Sequence, residues 1–361
     1  MTPREEQILG WIREDPMISQ QELAKRAGIT RSSVSVHIAN LTRKGLLRGR
    51  GYLLGEEGYV CVVGGVNIDI SGTPDTALLQ GDSNPGQVRV TMGGVGRNIA
   101  ENLARLGRRV VMITALGEDE NAQLMRRSCR ECGIDLAHAL TVAHGRTSTY
   151  LCLNDAEGEI VAAVSDMAIY EALTPAFLET KLDVINHAQL VIADTNLSAE
   201  ALEYLAEHIT VPFAADPVSA KKAVRLRGAL KNLCFFKPNR PEAALLSGTD
   251  IRTADDLPRA ARSLHEKGVR NVFISLGGDG VFFDDGSDSG ILPIVPGPIV
   301  NTNGCGDAFL AGAADGFLMG LSLRGCTQRG LAASSLCARA QSAVTPHMNA
   351  ETLDQMTNQE D

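Results

Sequence analysis

The order of apolar and polar residues changes character twice along the chain. Over residues 3–14, Ile8, Leu9, Trp11 and Ile12 recur at helical spacing. Ser19, with Glu22 three residues on, has the form of a capping box ahead of a short helix over 20–26, and Gly28 supplies the turn after it. Thr30 is placed to cap a third helix, whose buried face carries Val34, Ile38 and Leu41. Gly45, Gly49 and Gly51 then punctuate two short strands over 46–48 and 52–54. From Tyr59 the period is different. Val60-Cys61-Val62-Val63 is a short apolar run ending in Gly64-Gly65, the pattern of a strand buried on both faces. Similar runs recur at 110–115, 190–193, 213–215, 234–237 and 272–276, and helical patterns at 98–106, 121–132, 199–208, 224–230, 254–267 and 308–319 separate most of them. Buried strands alternating with amphipathic helices predict a mainly parallel sheet covered on both faces, with ligands beyond the carboxyl ends of its strands. Two segments break this rhythm. Val88-Arg89-Val90, and Tyr150 to Leu153 joined to 159–162 by a turn over 154–158, alternate and predict a small antiparallel lid over 71–91 and 147–164.

Length and charge divide the chain in the same way. At 361 residues two domains are expected, and the change of pattern sets them at 1–57 and 58–361. Residues 1–55 hold nine Lys/Arg against five Asp/Glu, a balance of +4, which leaves −13 of the net −9 to the remainder. Such asymmetry implies different partners for the two parts and argues against a nucleic-acid binder over the whole length. Aromatic content is only 4%, so aliphatic side chains must build the core. No apolar run approaches the roughly 18–20 residues of a membrane span, and the charged start is unlike a secretory signal, so a cytoplasmic protein without membrane partners is expected. The eight cysteines form no paired framework, as expected in a reducing compartment; Cys129 and Cys132 make a lone C-x-x-C that reads as packing or surface thiols rather than zinc ligands.

The candidate chemistry lies at the predicted strand ends. Asn67 and Asp69 follow the first run, and Gly93-Gly94-Val95-Gly96-Arg97-Asn98 opens a helix. Asn239-Arg240-Pro241-Glu242 and Gly277-Gly278-Asp279-Gly280 follow two later runs. The stretch Asn301-Thr302-Asn303-Gly304-Cys305-Gly306-Asp307 places two glycines and a carboxylate at a helix start. Converging N–H groups and the helix dipole suit an anion there, while an aspartate suits removal of a proton from a hydroxyl that attacks it. Taken alone, the stretch also reads as a glycine turn capped by Asp307.

Together these clusters carry a resemblance. Residues 59–348 resemble the PfkB/ribokinase family of carbohydrate and nucleoside kinases through Gly93, Gly94 and Asn98, through Asn239 and Glu242, and through Thr302, Gly304, Gly306 and Asp307. The resemblance implies an α/β, ribokinase-like, doubly wound sheet with a small β lid, and an ATP- and Mg²⁺-dependent phosphotransferase. Asp307 would be the general base, with Gly304, Cys305 and Gly306 as backbone donors to the transferred group. Asn67, Asp69, Gly93, Gly94 and Asn98 would bind the acceptor's hydroxyls. Asn239, Ser275, Gly277, Gly280 and Thr302 would line the nucleotide site, and Glu242 with Asn239 would hold Mg²⁺ through water. A strand-end cap remains open for Asn67 and Asp69, and a first-turn helix charge for Glu242. Two positions depart from the family pattern: Asn301 replaces its leading Asp and Cys305 its Ala, which bears on loop order and on a monovalent cation such as K⁺.

Within the family, the stretches 82–86, 93–100 and 154–166, with Ala193-Asp194-Thr195-Asn196 and Ala215-Asp216-Pro217-Val218-Ser219, are most similar to bacterial pseudouridine kinases. This implies phosphorylation of a nucleoside 5′-hydroxyl, with Ser83, Asn84, Thr149, Asp166 and Asn196 available to a polar base. Another nucleoside, a sugar, or a nucleoside-sensing regulator with a kinase-like ligand domain are the alternatives. Residues 1–55 resemble the α+β winged helix-turn-helix modules of bacterial regulators. Arg31, Ser32, Ser33, Ser35 and His37 would face DNA, and Arg43, Lys44, Arg48 and Arg50 its phosphates; dimerisation or packing is the competing use. A lid strand free to pair between subunits makes a homodimer the expected assembly.

Overall fold

The computed structural model describes residues 1–48, 53–54 and 58–357. Its contacts divide into two units, Met1–Gly58 and Tyr59–Asp361. The first contains helices Pro3–Glu14, Gln20–Ala27 and Arg31–Arg43, followed by an antiparallel pair, Leu47–Arg48 with Leu53–Leu54. Ser19 and Thr30 cap the second and third helices, accepting from the N–H of Glu22 at 3.1 Å and of Ser33 at 3.2 Å. Ile8, Ile12, Leu23, Val34 and Leu41 are fully buried between the helices. Each such side chain contributes about 1.5–3 kcal/mol against the entropy of ordering the chain. Thr2 and Glu5 form a capping box, and the buried Glu5 accepts the Lys44 ammonium at 2.7 Å, tying the first helix to the end of the third.

The second unit is built on a nine-stranded sheet in the spatial order Ser289–Leu292, Val281–Asp284, Asn271–Ser275, Phe235–Phe236, Phe213–Asp216, Leu190–Asp194, Tyr59–Val63, Arg109–Ile113 and Ile134–Asp135. The seven strands from Asn271–Ser275 onward are parallel, and the other two form an antiparallel edge hairpin. Alternation along the strands feeds two cores. Cys61 and Val63 pack with the helices Ala199–His208, Arg240–Ser247 and Leu257–Glu266, whereas Val60 and Val62 pack with Val95–Arg105, Glu120–Glu131 and Cys305–Met319. Both faces are therefore covered, as the unbroken apolar runs require.

The lid is a four-stranded sheet in the order Ile160–Asp166, Thr149–Asn154, Asn67–Pro74, Gly86–Gly93. It is mixed rather than antiparallel throughout: two hairpins meet through a parallel pair in which Thr149 stands beside Ile68. In register, Val90, Ile70, Leu151 and Val164 form an apolar row on one face, while Thr91, Asp69, Tyr150 and Ser165 line the other. The helix expected over 224–230 is instead two short turns, Val224–Leu226 and Leu230–Asn232. They are separated at Gly228, where a β-carbon would lie 2.1 Å from the Glu203 carboxylate. Helix Leu323–Ala338, rich in Ala, Ser, Cys and Gly, carries no strong apolar period and packs along Cys305–Met319.

Candidate active site

Three charged side chains end buried strands at the carboxyl edge of the sheet. Asp194 closes Leu190–Asp194 and accepts the N–H groups of Gly65 and Asn196, each at 2.8 Å. Asp216 closes Phe213–Asp216 and pairs at 3.2 Å with Lys237, which follows Phe235–Phe236. Burial works against the Lys237 ammonium, but Asp216, Asp307 and Glu242 outweigh it and hold its pKa above the ordinary value.

Over this edge lies the turn that starts helix Cys305–Met319. Gly304 has φ +79°, and a β-carbon there would stand 2.2 Å from the Ala343 carbonyl, so no other residue fits the turn unstrained. Two residues on, the Lys237 ammonium lies 2.7 Å from where a Gly306 side chain would begin. The helix thus presents its N-terminal end beside a buried cation, a double attraction for an anion. Asp307, 8% exposed, sits in the first helical turn. Asn98, which is 209 residues away in sequence, donates its Nδ2 to Asp307 Oδ2 at 2.8 Å. Burial, with Asp216 nearby, pushes the Asp307 carboxyl up to about 8, against the opposing pull of Asn98 and Lys237. A carboxyl with that affinity for protons is matched to general-base work near neutral pH. The Asn98 Oδ1 is buried without a partner among the described residues, an acceptor available to a substrate hydroxyl.

The lid supplies the second wall. Asn67 donates to Asp69, whose carboxyl burial pushes up to about 6 while Asn67 and Arg97 pull it down. Asp69 Oδ2 occupies the space a Gly93 side chain would take, and Gly94 turns the chain at φ +101° into helix Val95–Arg105. Arg97 donates to the Met92 carbonyl of the lid at 3.2 Å and pairs with Glu101 at 2.9 Å. Neighbouring residues of one helix, Arg97 and Asn98, thus hold the lid base and the Asp307 carboxylate.

The third wall is a cavity of about 370 Å³ beyond the turn. Lys237, Asn239, Ser275, Gly277, Gly280 and Thr302 give it polar edges, while Val281, Ile294, Val295, Ile299 and Leu331 give it apolar sides. Such a slot, opening onto an anion site, suits a purine joined to phosphates. Asn239 and Glu242 form a capping box at 2.8 and 2.9 Å on helix Arg240–Ser247. The alternative reading of Glu242 as a helix-start charge is therefore realised in the geometry. Its carboxylate is also buried and raised, by burial above all. No cluster of three or more His, Cys, Asp or Glu suited to a metal occurs among the described residues. A single carboxylate beside a phosphate site fits a hydrated divalent cation held chiefly by nucleotide phosphates.

The structure thus gathers Asn98, Gly304, Cys305, Gly306 and Asp307 at one point, Asn67, Asp69, Gly93 and Gly94 beside them, and the expected nucleotide residues around one cavity. Other expected residues stand apart. Ser83 lies exposed and Asn84 half-buried in the loop between two lid strands, where Asn84 bonds to the backbone of Leu79. Asp166 is exposed opposite Thr149, whose hydroxyl donates to the Thr147 carbonyl at 3.1 Å. Asn196 Oδ1 accepts Lys222 Nζ at 2.6 Å at a second polar pocket, with Arg225 and Ser165. Lys237, Asp194, Asp216 and Lys222 were not singled out as site residues by sequence. The signal for the first three was available, since a charge closing a buried parallel strand falls where ligands bind.

In the N-terminal unit Arg31, Ser32, Ser35 and Arg43 are exposed, and Ser33 and His37 half-buried. The Ser32 and Ser33 hydroxyls each stand 2.9 Å from that of Thr30. Lys44 is committed to Glu5 rather than free for a phosphate. The Arg48 side chain and Arg50 lie outside the described residues.

Comparison with known proteins agrees with this geometry. The model of the pfkB family of carbohydrate kinases matches residues 57–350, and that of the MarR family residues 1–51. The chain is 36% identical over 355 residues to the uncharacterized sugar kinase YeiI of Escherichia coli K12, covering 97% of this chain and 98% of that one. It is also 36% identical over 296 residues to the pseudouridine kinase of the same organism, covering 81% and 95%. Among solved structures, a putative sugar kinase from Clostridium perfringens superposes with a TM-score of 0.77 at 31% identity, over 84% of this chain and 96% of the other. The chain belongs to the pfkB family of carbohydrate kinases, ATP-dependent phosphotransferases acting on sugars or nucleosides, and carries a MarR-family winged helix at its N-terminus.

Proposed function

We propose that this kinase transfers the γ-phosphoryl group of ATP to the 5′-hydroxyl of a nucleoside, with pseudouridine the favoured acceptor. The observation that carries the reading is the Asn98–Asp307 pair beside the Gly304–Gly306 turn and Lys237. The acceptor oxygen forms its bond to the γ-phosphorus as the β–γ bridging bond breaks, ADP leaves, and Asp307 takes the hydroxyl proton. The turn's N–H groups and Lys237 stabilise the charge on the transferred group. Bound with ATP, Mg²⁺ neutralises charge across the phosphates, and Glu242 and Asn239 are the residues that would hold it through water. Asn67 and Asp69 engage ribose hydroxyls, since a carboxylate and an amide together accept from and donate to a diol. Pseudouridine is favoured by the 36% identity to a pseudouridine kinase, while the equal identity to a sugar kinase keeps other acceptors in the test.

Three further assignments belong to this reading. The exposed row Val90, Leu151 and Val164 on the lid provides an apolar face on which two copies pair as a homodimer. The winged helix binds DNA through Arg31, Ser32, Ser35 and Arg43. A monovalent cation such as K⁺ assists at the loop holding Asn301. The experiment is a panel of nucleosides, ribose and hexoses with purified protein, ATP and Mg²⁺, scored for phosphorylated product. Pseudouridine should give the highest kcat/KM; a preferred hexose would overturn the nucleoside assignment. Ligand binding without ATP consumption would identify a sensor instead.

A further inference from the structure

The polar pocket that Asn196 enters, about 590 Å³ in volume, adjoins the acceptor side of the lid. In lid register Asp69 stands beside Tyr150, and Tyr150 beside Ser165, which lines the pocket. Two strand spacings, roughly 10 Å, thus separate Asp69 from the pocket wall. On its other side, Asn196 Nδ2 fills the space a Gly65 side chain would take. The Tyr170 hydroxyl, also at the pocket, accepts the Val66 N–H at 2.8 Å, one residue before Asn67. The pocket and the site for the acceptor's hydroxyls therefore share a wall.

Lys222 is the group in this pocket that the phosphoryl-transfer chemistry leaves unused. It is half-buried in the short helix Ala220–Ala223, donates to Asn196 Oδ1 at 2.6 Å and faces Met167 Sδ at 3.5 Å. Of the three protons on an ammonium, one thus meets an oxygen and one a weak sulfur acceptor, which leaves donor capacity toward the pocket. Burial holds its pKa below the ordinary lysine value, with Asp194 opposing and Arg225 assisting. The turn that delivers it is strained. Val218 has φ +58°, a left-handed conformation that a β-branched residue adopts only when held. Its N–H donates to Asp216 Oδ1 at 2.7 Å, and the Thr195 hydroxyl donates to the Pro217 carbonyl at 2.6 Å. Arg225, by contrast, is committed to the carbonyls of Thr195, Asn196 and Leu197 at 3.0–3.2 Å. The exposed Glu171 and Glu200 also line the pocket. Two carboxylates repel a phosphate, whereas a neutral ring with carbonyl oxygens for Lys222 and N–H groups for the carboxylates is matched on both counts.

We infer, resting on the nucleoside reading above, that this pocket receives the acceptor's base and that Lys222 is a specificity-determining residue. It selects a ring carrying a carbonyl beside an N–H, the arrangement of an imide, by donating to that carbonyl. Ribose, with no base, does not reach it.

The test compares the full chain with Lys222→Met, using pseudouridine, uridine, cytidine and ribose as acceptors with ATP and Mg²⁺. The ratio of kcat/KM for pseudouridine to that for ribose should fall about ten- to a hundredfold, the usual effect of losing a hydrogen bond from a charged donor. Uridine should follow pseudouridine, and cytidine, with an amino group in place of one carbonyl, should lose less. Lys222→Ala, should the first fold poorly, should show the same split. An unchanged ratio, or an equal loss for cytidine, would overturn the inference. Calorimetric titration of the same compounds keeps the two failures distinct. Nucleosides that bind more weakly to Lys222→Met but are never phosphorylated would support the pocket and refute the kinase reading. Nucleosides phosphorylated with an unchanged ratio would refute the pocket alone.

Discussion

Replacing Asp307 with Asn should remove activity and, above neutral pH, stabilise the kinase unit. The folded protein holds the Asp307 proton up to about pH 8, whereas the unfolded chain releases it near the ordinary aspartate value of 3.8. Between those limits the native state binds more protons, so this residue's contribution to stability declines as pH rises and levels off above about 8. A shift of that size corresponds to at most about 6 kcal/mol at 1.36 kcal/mol per unit. That shift already includes the attraction of Lys237, and the amide resembles the protonated acid, so a gain of up to that order at pH 8 is expected, and little at pH 4. An amide keeps the shape and can still accept from Asn98. Melting temperature should therefore fall between pH 5 and 8 more steeply in the natural chain than in Asp307→Asn, while the variant's kcat drops by about 10²–10⁴. Parallel melting curves would refute the electrostatic reasoning, and undiminished turnover would refute the role of the base.

Lys237→Met should reduce kcat by about 10²–10³, the usual cost of losing one donor to a developing charge; steady-state kinetics check it, and an effect confined to KM for ATP would place Lys237 in binding only. Asn301 Nδ2 donates to the Gln341 carbonyl at 3.0 Å, which a carboxylate cannot do. Asn301→Asp should therefore loosen the loop by about 1 kcal/mol, making turnover roughly fivefold more dependent on K⁺ when compared with tetramethylammonium. The Lys44 hydrogen bond, with that from Thr2, holds the Glu5 carboxyl at about 2. Stability from this pair is thus complete above pH 4.5 and is lost as pH falls toward 2. Lys44→Ala should flatten that acid transition in the isolated signal of Trp11 fluorescence while leaving kinase turnover unchanged.

The central strands were legible because a parallel sheet covered on both faces needs unbroken apolar runs, and Val60 to Val63 and Leu190 to Ala193 supply them. Strand Asn67–Pro74 was not, because its Ser, Gly and Thr serve a half-exposed lid and a substrate wall rather than a core. Helix Leu323–Ala338 escaped for a related reason: it packs closely through small residues, which leave no apolar period. Gly93, Gly94 and the Gly304–Asp307 turn were visible as motifs, since local backbone geometry demands them. The Asn98–Asp307 contact and the Lys237–Asp216 pair join separate parts of the chain. No local spacing encodes them.

The sheet order also has a consequence during synthesis. Strand Tyr59–Val63 has Leu190–Asp194 as one neighbour, so that side of it stays unpaired until about 130 further residues emerge, roughly 6–25 s at cellular rates of translation. The three helices of the N-terminal unit depend only on partners already made, and finish folding well inside that interval. A nascent chain of this protein therefore passes through a stage with a completed winged helix and an unsheltered aliphatic strand. At that stage it is most exposed to aggregation and most in need of a chaperone.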